Sequence, residues 1–341
     1  MKNVARIAIL GGVIALGGAY ASGKLNDWLP EEMKVGVSGA SVLGDGEAAL
    51  QSQDAQLEDK LQPVIGCLND VASPLRNHAA AYVNEYPQML QTPGTTRIAA
   101  SFKLQVFEQN NSISRDCIKG LRGAIAMAPA DAGLDDPGKV FADTLENLIP
   151  VMNETDTYYS RKDNVDDGME KGKALDGQLM PLFNTLFEAE DKLRQVVSDR
   201  NNMLREKRLV AIEHAYGTEN FGWQTLNVSI SARRAIDGVS NLIDAGKLDP
   251  QSVETIERDY QAAFDKADAF AKAHPEVKTK LGNSPKWFSL SSDFNSFLAD
   301  LKEFRRLLAN KPDQQSVQAQ LSKLQERYNS LVRSYNMIPD A

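Results

Sequence analysis

The carboxylates Asp163, Asp166, Asp167 and Glu170 crowd one short stretch, and oxygen ligands gathered in this way suit a hard cation such as calcium. The spacing argues against that use. Counted from Asp163, the third and twelfth positions of an EF-hand loop fall on Val165 and Ala174, neither of which can ligate. Asp166 or Asp167 can instead cap a long following helix and sit favourably at its positive end, with Lys171 and Lys173 pairing to nearby acids. No metal is expected. The neighbouring Tyr158 and Tyr159 should pack between helices with their hydroxyls at the rim.

Other catalytic patterns fail in the same way. The histidines His78, His214 and His274 share no metal-ligand spacing, and H-E-x-x-H does not occur. Gly36-Val37-Ser38-Gly39-Ala40 misses G-x-S-x-G by its last residue and lies where no strand can form the strained elbow. A phosphate loop ending in Gly172-Lys173 would need its first glycine at Asp167. Ser-x-x-Lys and C-x-x-C are missing. Catalytic residues and cofactors are therefore assigned as none, and the chain is expected not to be an enzyme.

Cys67 and Cys117 are the two cysteines, and midway between them lies Gln91-Thr92-Pro93-Gly94, a strong turn pattern. If the flanking segments fold back as an antiparallel hairpin, the two sulfurs stand at one level and can meet disulfide geometry. Such a bond would add roughly 4 kcal/mol on the chain-entropy argument. The alternative is two buried, unpaired thiols.

The elements that must position these groups are helices. Apolar residues recur at alternating four- and three-residue steps. One such seam is Leu57, Leu61, Val64, Leu68, Val71, Leu75, His78, Tyr82, interrupted by Pro63 and Pro74, where a kink or break is expected. Another is Phe102, Val106, Gln109, Ile113, Cys117, Leu121. A third runs Leu182, Leu186, Ala189, Leu193, Val196, Arg200, Met203, Lys207, Val210, and a fourth from Val253 through Ile256, Tyr260, Ala263 and Ala267 to Phe270. The chain closes on Leu290, Phe294, Phe297, Leu301, Phe304, Leu308 and then Val317, Leu321, Leu324, Tyr328, Leu331, Tyr335, Ile338. Pro312 and Asp313 separate these last two and predict an antiparallel hairpin; Gly246, Asp249 and Pro250 punctuate similarly. No period-two alternation is sustained. The expected fold is all-α, an elongated antiparallel bundle of helical hairpins over 53–341, with possible sub-bundles 53–216 and 222–341.

Before the bundle, Lys2 and Arg6 precede the uncharged run Ile7 to Ala21, which exits through Ala19-Tyr20-Ala21. Spanning a bilayer takes about 20 apolar residues, so residues 1–21 read as a cleavable secretory signal ahead of an uncleaved membrane anchor through 7–21. Either way the rest is placed outside the cytoplasm, in the periplasm. Residues 22–52, rich in glycine and serine around Gly36 to Gly46, read as a flexible tether. The chain is 42% apolar with a net charge of -8 at pH 7 and no basic cluster, which argues against nucleic acid as a partner.

Tyr158-Tyr159-Ser160-Arg161-Lys162-Asp163, followed by Asp166-Asp167-Gly168-Met169-Glu170-Lys171-Gly172-Lys173-Ala174-Leu175, resembles the signature of the YiiG-like family of bacterial envelope proteins. Cys67-Leu68-Asn69 and the pairs Tyr328-Asn329 and Tyr335-Asn336 are similar to other recurrent features of that family. The resemblance implies an exported helical protein with no known catalytic residue. Lipid-anchored members carry a cysteine directly after the hydrophobic segment; here Ala21-Ser22-Gly23 stands in its place, so acylation there is not possible.

The function expected is non-catalytic: an envelope protein that binds a protein partner or acts structurally. Two alternatives are an immunity or inhibitor protein for a secreted toxin, and a carrier of a small apolar ligand among Phe183, Phe187, Tyr260, Phe264 and Trp287.

Overall fold

The computed structural model describes residues 45–93, 112–275 and 285–337. Among these residues the regular elements are helices and no strand occurs. They form two compact units that divide between Asp199 and Arg200. Residues 1–21, the tether as far as position 44, Gly94, the seam residues Phe102, Val106 and Gln109, and Ile338 lie outside the described residues.

In the first unit, α1 (Asp45–Cys67) starts inside the stretch read as a tether. It passes through one π turn (Leu68–Ala72) into α2 (Ser73–Gln91). The seam from Leu57 to Leu75 and Tyr82 is buried as the spacing requires. The two prolines do not break it. Pro63 sits within α1, and Pro74 falls in the first turn of α2. Between them the helix widens, and the Ser73 N–H bonds the Leu68 carbonyl in place of the usual α pairing. Pro74 has no N–H for the carbonyl one turn earlier, so a wider turn there forfeits little of the ladder.

Helix α3 (Ser112–Ala126) runs antiparallel to α1. Cys117 meets Cys67, Gly120 faces Pro63, and Lys60 reaches the Met127 carbonyl beyond the helix end. Cys117 and Leu121 are buried, but Ile113 of the same expected seam is 41% exposed. Helix α4 (Ala132–Ser160), capped by Asp131, returns along α3 with Gly138 against Leu121 and Ile125. A short helix α5 (Asp163–Asp166) then leads to α6 (Glu170–Tyr216), within which the units divide. On α6 the expected Leu186, Ala189 and Leu193 are buried, beside Leu179, Phe183, Glu190, Arg194 and Val197. The ends of that seam depart from expectation: Leu182 and Val196 are half-buried, while Met203 and Val210 are exposed. The stripe carries a buried ion pair that an apolar seam cannot anticipate.

The second unit contains α7 (Phe221–Asp244), α8 (Pro250–Ala273), α9 (Lys286–Ala309) and α10 (Gln314–Met337). Their starts follow the expected chemistry. Asn220 accepts from the Trp223 N–H, Asp249 from Ser252 and Asp313 from Ser316. Gly246 takes φ 63° just past the end of α7, a conformation that a Cβ disfavours. Cross-contacts run in opposite senses along successive helices. Glu257 and Phe264 of α8 meet Arg305 and Trp287 of α9; Asp300 and Lys286 of α9 meet Arg327 and Tyr335 of α10. The pairs are thus antiparallel hairpins. Their core is aliphatic and aromatic, with Leu290, Phe294, Phe297, Leu301 and Phe304 at 0% exposure.

Candidate functional site

The residues of the carboxylate-rich signature fold into the turn between α4 and α6. Tyr158 and Tyr159 close α4 and lie inside, not at the rim: each is 1% exposed, and their rings meet edge to face at 4.9 Å. The Tyr158 hydroxyl donates to Asp167 Oδ1 at 2.7 Å. The same carboxylate accepts from the backbone N–H groups of Met169 and Lys171 at 2.9 and 3.0 Å, which places Asp167 as the cap of α6. Desolvation pushes its pKa up, but the Tyr158 hydroxyl and these amides outweigh that and hold it below the usual range.

Around this cap the other signature residues diverge. Lys162 turns the chain at φ 64°, Asp163 and Asp166 bound α5 with exposed side chains, and Lys173 is also exposed. Lys171 pairs with Glu154 of α4 at 2.8 Å. Gly172 is there for space. A Cβ on it would stand 3.1 Å from the Tyr159 hydroxyl and 3.0 Å from Met169 Cε. The buried Asn164 donates to the Pro93 carbonyl, fastening the turn to the end of α2.

One layer further in, Tyr82 of α2 is fully buried and donates to Asp176 Oδ1 of α6 at 3.0 Å. Burial, then the neighbouring Tyr159 and Asp176, drive the Tyr82 hydroxyl far above its ordinary pKa. Tyr86 is pushed up to about 12 by burial and by Asp176. Burial also raises Asp176 against the opposing bond from Tyr82. Phenols so disposed stay protonated at neutral pH and act as donors, not as bases or nucleophiles. The cluster can tie α2, α4 and α6 together; it presents no activated group.

The cysteines occupy a second cluster. Cys67 and Cys117 are joined, with Cα atoms 4.6 Å apart and exposures of 3% and 7%. Cys67 directly precedes the π turn, whose Leu68 carbonyl accepts from the Ser73 hydroxyl and from Arg194 Nη2, each at 3.1 Å. Arg194 also donates to Ser73 Oγ at 2.8 Å and to Glu190 at 2.7 Å. Glu190, 1% exposed, is shared with Arg76 at 2.8 Å, and Arg76 lies over the Phe187 ring at 4.7 Å. Nearby Lys60, at 0% exposure, donates to the carbonyls of Met127 and Pro129 at 3.0 and 2.9 Å and pairs with Asp135 at 2.8 Å.

Sequence reasoning missed Lys60, Ser73, Arg76, Glu190 and Arg194. The available hint was Glu190 and Arg194 spaced one turn apart among apolar neighbours, a pattern equally common on solvated faces. The aromatic residues considered for a ligand are spent on packing. Phe183 stacks on Phe187 at 5.7 Å in the first unit; Tyr260 meets Phe297 at 5.0 Å and Phe264 meets Trp287 at 5.7 Å in the second. Among the described residues no group of three or more His, Cys, Asp or Glu could hold a metal ion, and no helix is long and apolar enough to cross a membrane.

Comparison with known proteins agrees with the signature. The chain is 25% identical over 201 residues to the uncharacterized protein YiiG of Escherichia coli (strain K12), a match covering 59% of this chain and 55% of that protein. The matched region thus spans little more than half the relative's length. No solved structure matches. The model of a family described as protein of unknown function, DUF3829, matches residues 55–337. Since that match takes in both helical units and all of the described signature, the chain belongs to the DUF3829 family.

Proposed function

We propose that this is a non-catalytic, exported helical protein of the bacterial cell envelope, where it binds a protein partner or acts structurally. The observation that carries the reading is the buried Cys67–Cys117 bond, because such bonds form and persist in oxidising compartments and are rare in the cytosol. The basic, apolar, A-x-A order of residues 2–21 supports the same destination. Internal use of the ionisable clusters supports a non-catalytic role, since Tyr158, Asp167, Tyr82, Asp176, Glu190 and Arg194 each serve a cap or an interhelix bond.

The test is fractionation of the native host with thiols trapped by a mass-tagged maleimide at lysis. The expected result is a tag-free protein in the envelope or periplasmic fraction, acquiring two tags only after reduction. A protein carrying two tags in the cytosolic fraction overturns the reading. Crosslinking in the same fraction then identifies what it touches.

A further inference from the structure

Two phenols of the first unit are bonded to carboxylates, and the two pairs sit in different surroundings. Tyr158 donates to Asp167 at 2.7 Å and Tyr82 to Asp176 at 3.0 Å. Asp167 is exposed, and the amides of Met169 and Lys171 also donate to it. Asp176 is half-buried, its charge is governed by burial and by the Tyr82 hydroxyl, and no cation among the described residues is paired with it. Tyr82 itself is at 0% exposure. Its ring lies 5.4 Å from that of Tyr86, which is half-buried and so partly open to solvent.

A phenol that loses an electron becomes a strong acid, and its oxidation goes forward where a base within hydrogen-bond reach takes the proton. Between Tyr82 and Asp176 that transfer cancels the negative charge of the pair, leaving a neutral radical beside a neutral acid. Burial opposes an uncompensated charge, so it favours the oxidised pair. Asp167 offers Tyr158 no such gain, because solvent and two backbone N–H groups already stabilise its carboxylate. We propose that Tyr82 is a redox-active phenol that takes up the electron hole left by a one-electron oxidant, with Tyr86 as the point of entry and Asp176 as the proton acceptor. The oxidant gains one electron from Tyr86, and Tyr82 refills Tyr86. As it does so the Tyr82 O–H bond breaks and an O–H bond forms on Asp176. A one-electron reductant such as ascorbate returns the electron, and the proton goes back to Tyr82. The buried ring is shielded from water and from other radicals, so the hole rests there.

Trapping a hole needs neither a partner nor a particular compartment, so this inference goes beyond the envelope reading and either can fail alone. The test is flash oxidation of the folded full-length protein by photogenerated tris(bipyridine)ruthenium(III), with the tyrosyl radical followed by electron paramagnetic resonance. The radical should outlive that of the same chain in urea by roughly tenfold or more, as a site closed to water and side reactions requires. Tyr82→Phe should shorten it to the unfolded lifetime. Asp176→Asn, whose amide cannot take the proton, should do the same, whereas Tyr158→Phe should leave it unchanged. Circular dichroism checks that each variant is folded, and Asp176→Asn, which keeps every ring, decides the assignment if Tyr82→Phe is not. A wild-type radical that decays as fast as that of the unfolded chain overturns the proposal whatever the variants do. So does a long-lived radical that survives Tyr82→Phe or Asp176→Asn, or one that is lost with Tyr158→Phe.

Discussion

The two units solve the same packing problem with different materials. In the second, the core of α8, α9 and α10 is aromatic and aliphatic, and the buried Asp300 reaches outward to Lys323 and Arg327, which are 45% and 40% exposed at the side chain. Lys286 of the second is buried too, at 6%, against the Tyr335 carbonyl, but the first buries both partners of an ion pair, Arg194 at 6% and Glu190 at 1%, with Arg76 sharing the carboxylate and Lys60 at 0% nearby. Desolvating both members of a pair costs several kcal/mol per ion before pairing recovers it. The first unit also holds the disulfide. Buried charge fixes register, because each partner can be satisfied at one position only, and a covalent bond offsets what that specificity costs in stability.

Single substitutions can break this contrast, and Trp223 and Trp287 of the second unit provide the readout in a Trp28→Phe background, since the third tryptophan, Trp28, lies outside the described residues. Glu190→Ala strands Arg194 in the interior of the first unit and should cost about 3–5 kcal/mol. Phe297→Ala opens a cavity beside Tyr260 and Tyr328 at a similar cost of about 3–5 kcal/mol. In urea, the Trp fluorescence midpoint should fall more for Phe297→Ala, and the loss of helical ellipticity should begin earlier than the Trp change for Glu190→Ala. Equal Trp shifts for both would dissolve the contrast.

Replacing both cysteines by alanine should lower stability by about 2–4 kcal/mol, seen as an earlier loss of ellipticity that reduction does not move further. Tyr82→Phe removes the donor to a half-buried carboxylate and should cost about 1–2 kcal/mol. Asp300→Asn should cost under about 1 kcal/mol, because the cations it leaves are already half in water.

Acid sharpens the comparison without a mutation. Asp249 and Asp313 are held below the ordinary range chiefly by the backbone N–H groups of Ser252 and Ser316. Their caps stabilise the second unit fully above the unfolded carboxylate pKa, and that support fades as pH falls through their lowered folded values. Asp176 of the first unit is raised, mainly by burial. Its sign is opposite: stability is greatest below the unfolded pKa and declines as pH rises through the folded one. Amide exchange measured from pH 5 downward should therefore loosen the first turns of α8 and α10 before the α2–α6 contact at Asp176.

The same contrast governs how much could be read in advance. On α9 and α10 the heptad positions fell where the spacing put them, and Asp249, Asp313 and Gly246 marked the helix ends, because apolar burial and capping are local properties of a sequence. On α6 the expected seam held at Leu186, Ala189 and Leu193 but missed Glu190 and Arg194, which count as surface residues until Arg76, Ser73 and the Leu68 carbonyl are brought beside them from more than a hundred positions away. Pro63 and Pro74 announced a disturbance but not its form. Tyr158 and Tyr159 were recognised as packing residues, yet their burial depends on Gly172 and Asp167 of the next helix.

The widened turn at Leu68–Ala72 has one more implication. Each residue of a helix advances the chain by about 100° around the axis, so the surplus position accommodated there sets the angular phase of α2 from end to end. Excising Asn69 would offer a tidier spiral at that point. It would also swing Arg76 and Tyr82 off Glu190 and Asp176, leaving a smooth rod whose polar handles point the wrong way.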